Sequence, residues 1–189
     1  MRNIVAFLVS LLVVVSVNAD AQTSLTVSSQ NKIDSEGKIS PTLWATSTTK
    51  YGNIGFYTWY LSGETWSEAV VGPAFFPNKW VEVDLAVGLE SDKNPLRGQF
   101  QVFAAKGDNS FLSAVEYGGS GFWYVAVGNH KFNVGRIKAG AGFRAQRYVG
   151  IGPRFQIASG KLGAWVSPVM WDTEKSGVRN SMFGVTFSP

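Results

Sequence analysis

From about Lys38 to the C-terminus, apolar and polar residues alternate with a period of two. No window of that stretch sustains the i, i+3, i+4, i+7 spacing of an amphipathic helix. In the clearest run, Trp80 to Glu90, residues Val81, Val83, Leu85, Val87 and Leu89 share one face, with Glu82, Asp84 and Glu90 on the other. Arg97, Gln99 and Gln101 alternate in the same way with Leu96, Phe100 and Val102. Arg136, Lys138, Arg144 and Gln146 oppose Ile137, Ala139, Ala141, Phe143 and Ala145, and Arg154 and Gln156 oppose Val149, Ile151, Phe155 and Ile157. The final run sets Phe183, Val185 and Phe187 on one face. Turn-forming residues separate these runs at Tyr51-Gly52-Asn53, Phe76 to Lys79, Ser91 to Asn94, Lys106 to Asn109, Gly118 to Gly121 and Ser159-Gly160. The pattern predicts an all-β protein, an up-and-down antiparallel β-barrel of about 10–12 strands in one domain, with Thr23 to Ser29 supplying the strand that makes the count even.

Alternation alone does not say which face is inside, because a soluble barrel and a membrane barrel share it. Strands of about 9 to 11 residues are long enough to cross hydrocarbon at a tilt. Trp44, Tyr51, Trp59, Tyr60, Trp66, Trp80, Trp123, Tyr124 and Trp171 fall near strand ends, where interfacial girdles form. The polar face carries glycine, glutamine and opposed charges, where a water-facing surface would use abundant Lys and Glu. From about Thr23 to Phe187 the chain resembles a small bacterial outer-membrane β-barrel, at the level of architecture. Such proteins usually end in a strand whose last residue is aromatic, a signal read by the barrel-assembly machinery. The ending Met182 to Phe187 matches, while Ser188 and Pro189 after it depart from the pattern.

Met1 to Ala19 carries one early charge, Arg2, an apolar stretch from Ile4 to Val15 and a small-residue exit at Val17-Asn18-Ala19, which predicts a secretory signal peptide over 1–19 and a barrel domain over 20–189. An exported chain can use disulfides, yet there is no cysteine, so closure is expected from the sheet itself, and thiol chemistry is excluded. With 17 Lys+Arg against 13 Asp+Glu, the charge bias is mild and forms no basic run, which argues against nucleic-acid binding.

Glu82, Asp84, Arg97, Arg136, Lys138, Arg144 and Arg154 share the polar face and are the expected lumen-lining residues. Inward charges must pair or stay hydrated, so the lumen is either a charge-packed plug or a narrow pore with mild anion preference. The only histidine, His130, lies in Gly128-Asn129-His130-Lys131, which reads as a short turn; a serine hydrolase would need Asn129 and His130 near a serine, and no serine stands in a nucleophile context. Glu82 and Asp84, two apart on a strand, lie about 7 Å apart, within the range of paired acids, although a charge network is the plainer reading. No cofactor or metal site is expected. The expected function is therefore a non-enzymatic outer-membrane barrel in contact with lipid and small solutes, with the aromatic girdle Trp44, Tyr51, Trp59, Trp66, Trp80, Trp123 and Trp171. The alternatives are a soluble periplasmic or secreted barrel enclosing a lipophilic ligand and, third, an outer-membrane hydrolase.

Overall fold

The computed structural model describes residues 22–172 and 180–189; the expected signal peptide over 1–19 lies outside them. Among the described residues the chain forms twelve strands: β1 (Gln22–Ile33), β2 (Ile39–Tyr51), β3 (Ile54–Ser62), β4 (Ser67–Asn78), β5 (Val81–Glu90), β6 (Leu96–Lys106), β7 (Asn109–Gly118), β8 (Gly121–Val134), β9 (Ile137–Gln146), β10 (Gly150–Ser159), β11 (Leu162–Pro168) and β12 (Ser181–Phe187). Each strand pairs antiparallel with the next, and β12 returns to β1, so the sheet closes without an edge.

Five turns of two residues lie at the end where the described chain starts and finishes: 52–53, 79–80, 107–108, 135–136 and 160–161. In four of them the first residue is a glycine with φ of 57 to 61°, Gly52, Gly107, Gly135 and Gly160. That conformation at the first position is the type II′ hairpin turn, whose twist matches that of the flanking strands. The connections at the opposite end are mostly longer, as at 34–38, 63–66 and 91–95. The two ends are called the turn end and the loop end below.

Two local expectations are corrected. The stretch Gly128 to Lys131, read as a turn, runs straight through β8, and the turn falls at Gly135-Arg136. Gly128 faces outward, and the ring of its cross-strand partner Phe143 covers it so closely that a Cβ would lie 2.3 Å from the ring. Its lack of a side chain therefore serves packing. Pro153 and Pro168, both awkward in a ladder, fall opposite each other where the β10–β11 register opens. The Ser167 hydroxyl donates to the Pro153 carbonyl at 2.9 Å and satisfies an acceptor that proline's missing N–H leaves free.

The outward face is apolar. Thirty-two large apolar or aromatic side chains are exposed among the described residues, including Leu85, Val87 and Leu89 of β5, Phe155 and Ile157 of β10, and Phe183, Val185 and Phe187 of β12. The inward face buries Gln30, Asp84, Arg97, Gln99, Gln101, Glu116, Arg144 and Arg154. At about 1.5 to 3 kcal/mol for each large apolar side chain left in water, that exterior would cost tens of kcal/mol, more than the roughly 5 to 15 kcal/mol by which folded proteins are stable. In hydrocarbon it costs nothing of the kind. The soluble barrel with an apolar cavity is the reverse of this arrangement.

Candidate functional site

The inner wall of β2 to β8 carries a packed aromatic group that alternation did not place there. Trp44 on β2, Trp59 on β3 and Trp123 on β8 all point inward; the Trp44 and Trp59 rings are 4.3 Å apart and the Trp59 and Trp123 rings 6.0 Å. Trp66 is half-buried against the same group and donates to Glu90 at 3.3 Å. These four were expected in the outer girdle, and the structure corrects that. Phe56-Tyr57-Thr58-Trp59-Tyr60 is aromatic on both faces, so its period-2 pattern has no polar side to mark the lumen. The indole N–H of each buried tryptophan also needs an acceptor, which a carboxylate-lined interior provides. Tyr51 and Trp80 stand exposed at the turn end, and Trp171 is exposed beyond β11 at the loop end.

Beside this aromatic group, Arg97 on β6 gathers three carboxylates. Its guanidinium lies 2.6 Å from Glu68, 2.9 Å from Glu90 and 2.8 Å from Glu116, with Arg97 only 1% exposed and all three acidic side chains fully covered. Glu68 and Glu90 are direct cross-strand partners, a like-charge pairing that destabilises a sheet unless a cation lies between them. Arg97 supplies that cation. Trp59 donates to Glu68, Gln99 to Glu116, and the Ser120 backbone and hydroxyl to Glu90, so the acceptors are largely satisfied. Arg97 was on the expected lumen face, whereas Glu68 and Glu116 went unnoticed. Their signal was present, since Glu116 sits between the outward Val115 and Tyr117, but single acids in apolar runs attract less notice than clusters.

Toward the turn end a second acidic group stands on the same wall. Asp84, fully buried, accepts from Gln101 at 2.8 Å, and Gln101 in turn accepts from the Tyr57 hydroxyl at 3.1 Å. Glu82, one inward position along β5, accepts from the Thr48 hydroxyl at 2.7 Å. The nearby Lys50 places its ammonium over the Phe76 ring, 4.4 Å from the centroid.

The facing wall, β8 to β11, is basic and lacks such acids. Arg144 on β9 donates to the neutral amide oxygens of Gln30 at 2.8 Å and Gln146 at 3.0 Å, and it lies over the rings of Trp44 and Trp165. Arg154 on β10 stacks on Trp165 with its guanidinium carbon 4.1 Å from the centroid. The Arg154 Nη1 and both amide atoms of Asn129 on β8 are buried with no hydrogen-bond partner in the protein. Lys138 is exposed and lines the turn-end cavity near its mouth. Arg136 is not on a strand at all. It occupies the exposed β8–β9 turn, because the preceding Gly135 adopts positive φ and ends β8 two residues before β9 begins.

Two cavities divide the lumen. The larger, about 600 Å³, reaches the turn end at Gly160, Lys161 and Ser188 and is lined by Glu82, Asn129, Lys131, Arg144 and Arg154. Its wall from β1 and β2 carries the hydroxyls of Ser24, Thr26, Ser28, Thr46 and Thr48. The smaller, about 330 Å³, reaches the loop-end connections at Gly63, Ser120 and Tyr148. Gln30 and Trp44 line both, which marks the constriction between them.

Asn129 and His130 are consecutive on β8 and so point to opposite faces, Asn129 into the lumen and His130 outward, where its Nδ1 meets Asn109 at 3.0 Å. They cannot converge on one nucleophile. Glu82 and Asp84 do share the inner face, where Thr48 donates to Glu82 and Gln101 to Asp84.

This geometry has solved counterparts. A KdgM porin in complex with disordered oligogalacturonate matches over 87% of this chain and 99% of its own with a TM-score of 0.53 and 13% identity. Another structure of KdgM porin matches over the same shares with a TM-score of 0.50 and 12% identity. The barrel has the fold of bacterial outer-membrane porins. At such identity the likeness is one of backbone architecture, and the porin fold by itself assigns no solute. No family model matches the sequence, and no curated protein matches it.

Proposed function

We propose that this porin-fold chain is a bacterial outer-membrane pore, non-enzymatic and set in lipid after the assembly machinery has engaged β12, that passes small solutes with a mild preference for anions. The observation that carries this reading is the lumen. Two cavities open toward opposite ends and share Trp44 and Gln30 as lining, and among the described residues only side chains stand between them. The preference follows from how charge is matched. The acids of the loop-end half surround Arg97, whereas Arg144, Arg154, Lys131 and Lys138 face the larger cavity, with neutral partners or rings around the two arginines. A cavity lined by uncompensated cations favours anions.

The test begins with expression in a Gram-negative host, envelope fractionation and gel mobility with and without boiling. Recovery in the outer membrane with a heat-dependent shift is expected, followed by discrete conductance steps in planar bilayers and a reversal potential on the anion-selective side. Arg144→Met with Arg154→Met should move that potential toward cations. Recovery as a soluble periplasmic protein, or a folded barrel without steps under any salt, would refute the proposal.

A further inference from the structure

One row of the larger cavity's lining is charged at its two ends and apolar between them. Glu82 pairs across the sheet with Phe103, Phe103 with Leu112, Leu112 with Val127 and Val127 with Arg144, so these five residues form a single row from β5 to β9. All five line the cavity. A carboxylate therefore stands at one end of an apolar floor and a guanidinium at the other. Four strand steps at about 4.8 Å put roughly 19 Å of sheet between the two backbones. Glu82 reaches Thr48 on β2 and Arg144 reaches Gln30 on β1, so both charged groups stand off this floor over the cavity.

Both ends hold polar atoms that the protein leaves unsatisfied. At the basic end these are Arg154 Nη1 and the Asn129 amide, flanking Gly140, where even a Cβ would lie 2.9 Å from Gln156 and 3.1 Å from Asn129. The rings of Trp44 and Trp165 hold the two guanidinium planes in place, so little ordering is needed when a carboxylate arrives. At the acidic end Asp84 Oδ1 is buried without a partner directly below Glu82, and two neighbouring carboxylates favour a cation beside them. Lys50, the neighbouring cation, lies over the Phe76 ring.

We propose that this vestibule is a recognition site for small zwitterions with an apolar body, namely α-amino acids and short peptides. The ammonium group meets Glu82, the carboxylate meets Arg144 and Arg154, and the side chain lies on Phe103, Leu112 and Val127. As a statement about transport it rests on the pore reading above; as a statement about binding it does not.

The experiment uses the full barrel refolded in detergent micelles, with folding verified by heat-dependent mobility, and isothermal titration with leucine, N-acetylleucine and leucinamide. Leucine should bind at least about tenfold more tightly than either analogue, since each lacks one charge-assisted contact. Glu82→Gln should erase the gap between leucine and N-acetylleucine, and Arg154→Met the gap between leucine and leucinamide. Equal binding of all three, or N-acetylleucine binding as well as leucine, overturns the proposal, and this comparison on the unsubstituted barrel decides even where a variant fails to fold. Selective leucine binding without bilayer conductance would uphold the site and refute the pore; conductance without discrimination would do the opposite.

Discussion

Replacing Arg97 with methionine keeps most of the aliphatic stem and removes the only cation among three buried carboxylates. Glu68, Glu90 and Glu116 lie 2.6 to 2.9 Å from the guanidinium, and none of the four side chains reaches solvent to any useful extent. Breaking a buried pair by deleting one partner costs about 3 to 5 kcal/mol, because the remaining charge stays desolvated. With three acids left behind, two of them directly opposed on β4 and β5, the upper part of that range is expected, a loss of roughly a thousandfold in the folding constant. The assay is urea unfolding of the barrel in lipid vesicles, followed by tryptophan fluorescence and by gel mobility. A companion carrying Arg97→Met with Glu68→Gln, Glu90→Gln and Glu116→Gln should regain most of the loss, since the amides carry no charge. A single-variant cost below about 1 kcal/mol, the range of exposed ion pairs, would refute the reasoning by showing that water already reaches these carboxylates.

Other consequences are accessible to the same preparations. Val87→Arg, at an outward position 64% exposed, should destabilise the barrel in vesicles by about 2 to 4 kcal/mol if it lies near the bilayer midplane; a neutral effect would place that face in water. Trp44→Ala should join the two cavities and at least double the conductance in bilayer recordings, and an unchanged step size would put the constriction elsewhere. Gly107→Val forces a β-branched residue to φ of 59° in a turn with open space around it, so a cost of about 1 to 3 kcal/mol in urea unfolding is expected from backbone strain alone.

Much of the architecture was legible because it depends on local geometry. A strand places successive side chains on opposite faces, so the alternation from Trp80 to Glu90 told which residues travel together whatever the sheet does next. Glycine-led two-residue turns marked the hairpins for the same reason. Gly128 misled because a glycine that ends a strand and one that makes room for a ring, here Phe143, look alike in one dimension. Trp44, Trp59, Trp66 and Trp123 misled because an aromatic residue suits a membrane interface and a carboxylate-rich interior equally well; only the parity of the closed sheet separates them.

By itself, then, the sequence determined the two-faced strands, the apolar face suited to hydrocarbon and the polar face able to line a lumen, since these follow from the period of the chain and the transfer energies of its side chains. The tertiary structure alone decided which charges meet. Glu68, Glu90, Arg97 and Glu116 come from four strands, and Glu82 and Arg144 end one row across five. Such groupings depend on register and closure, which sum over every hairpin around the barrel, so that a slip of one residue in any of them would move a side chain to the other face.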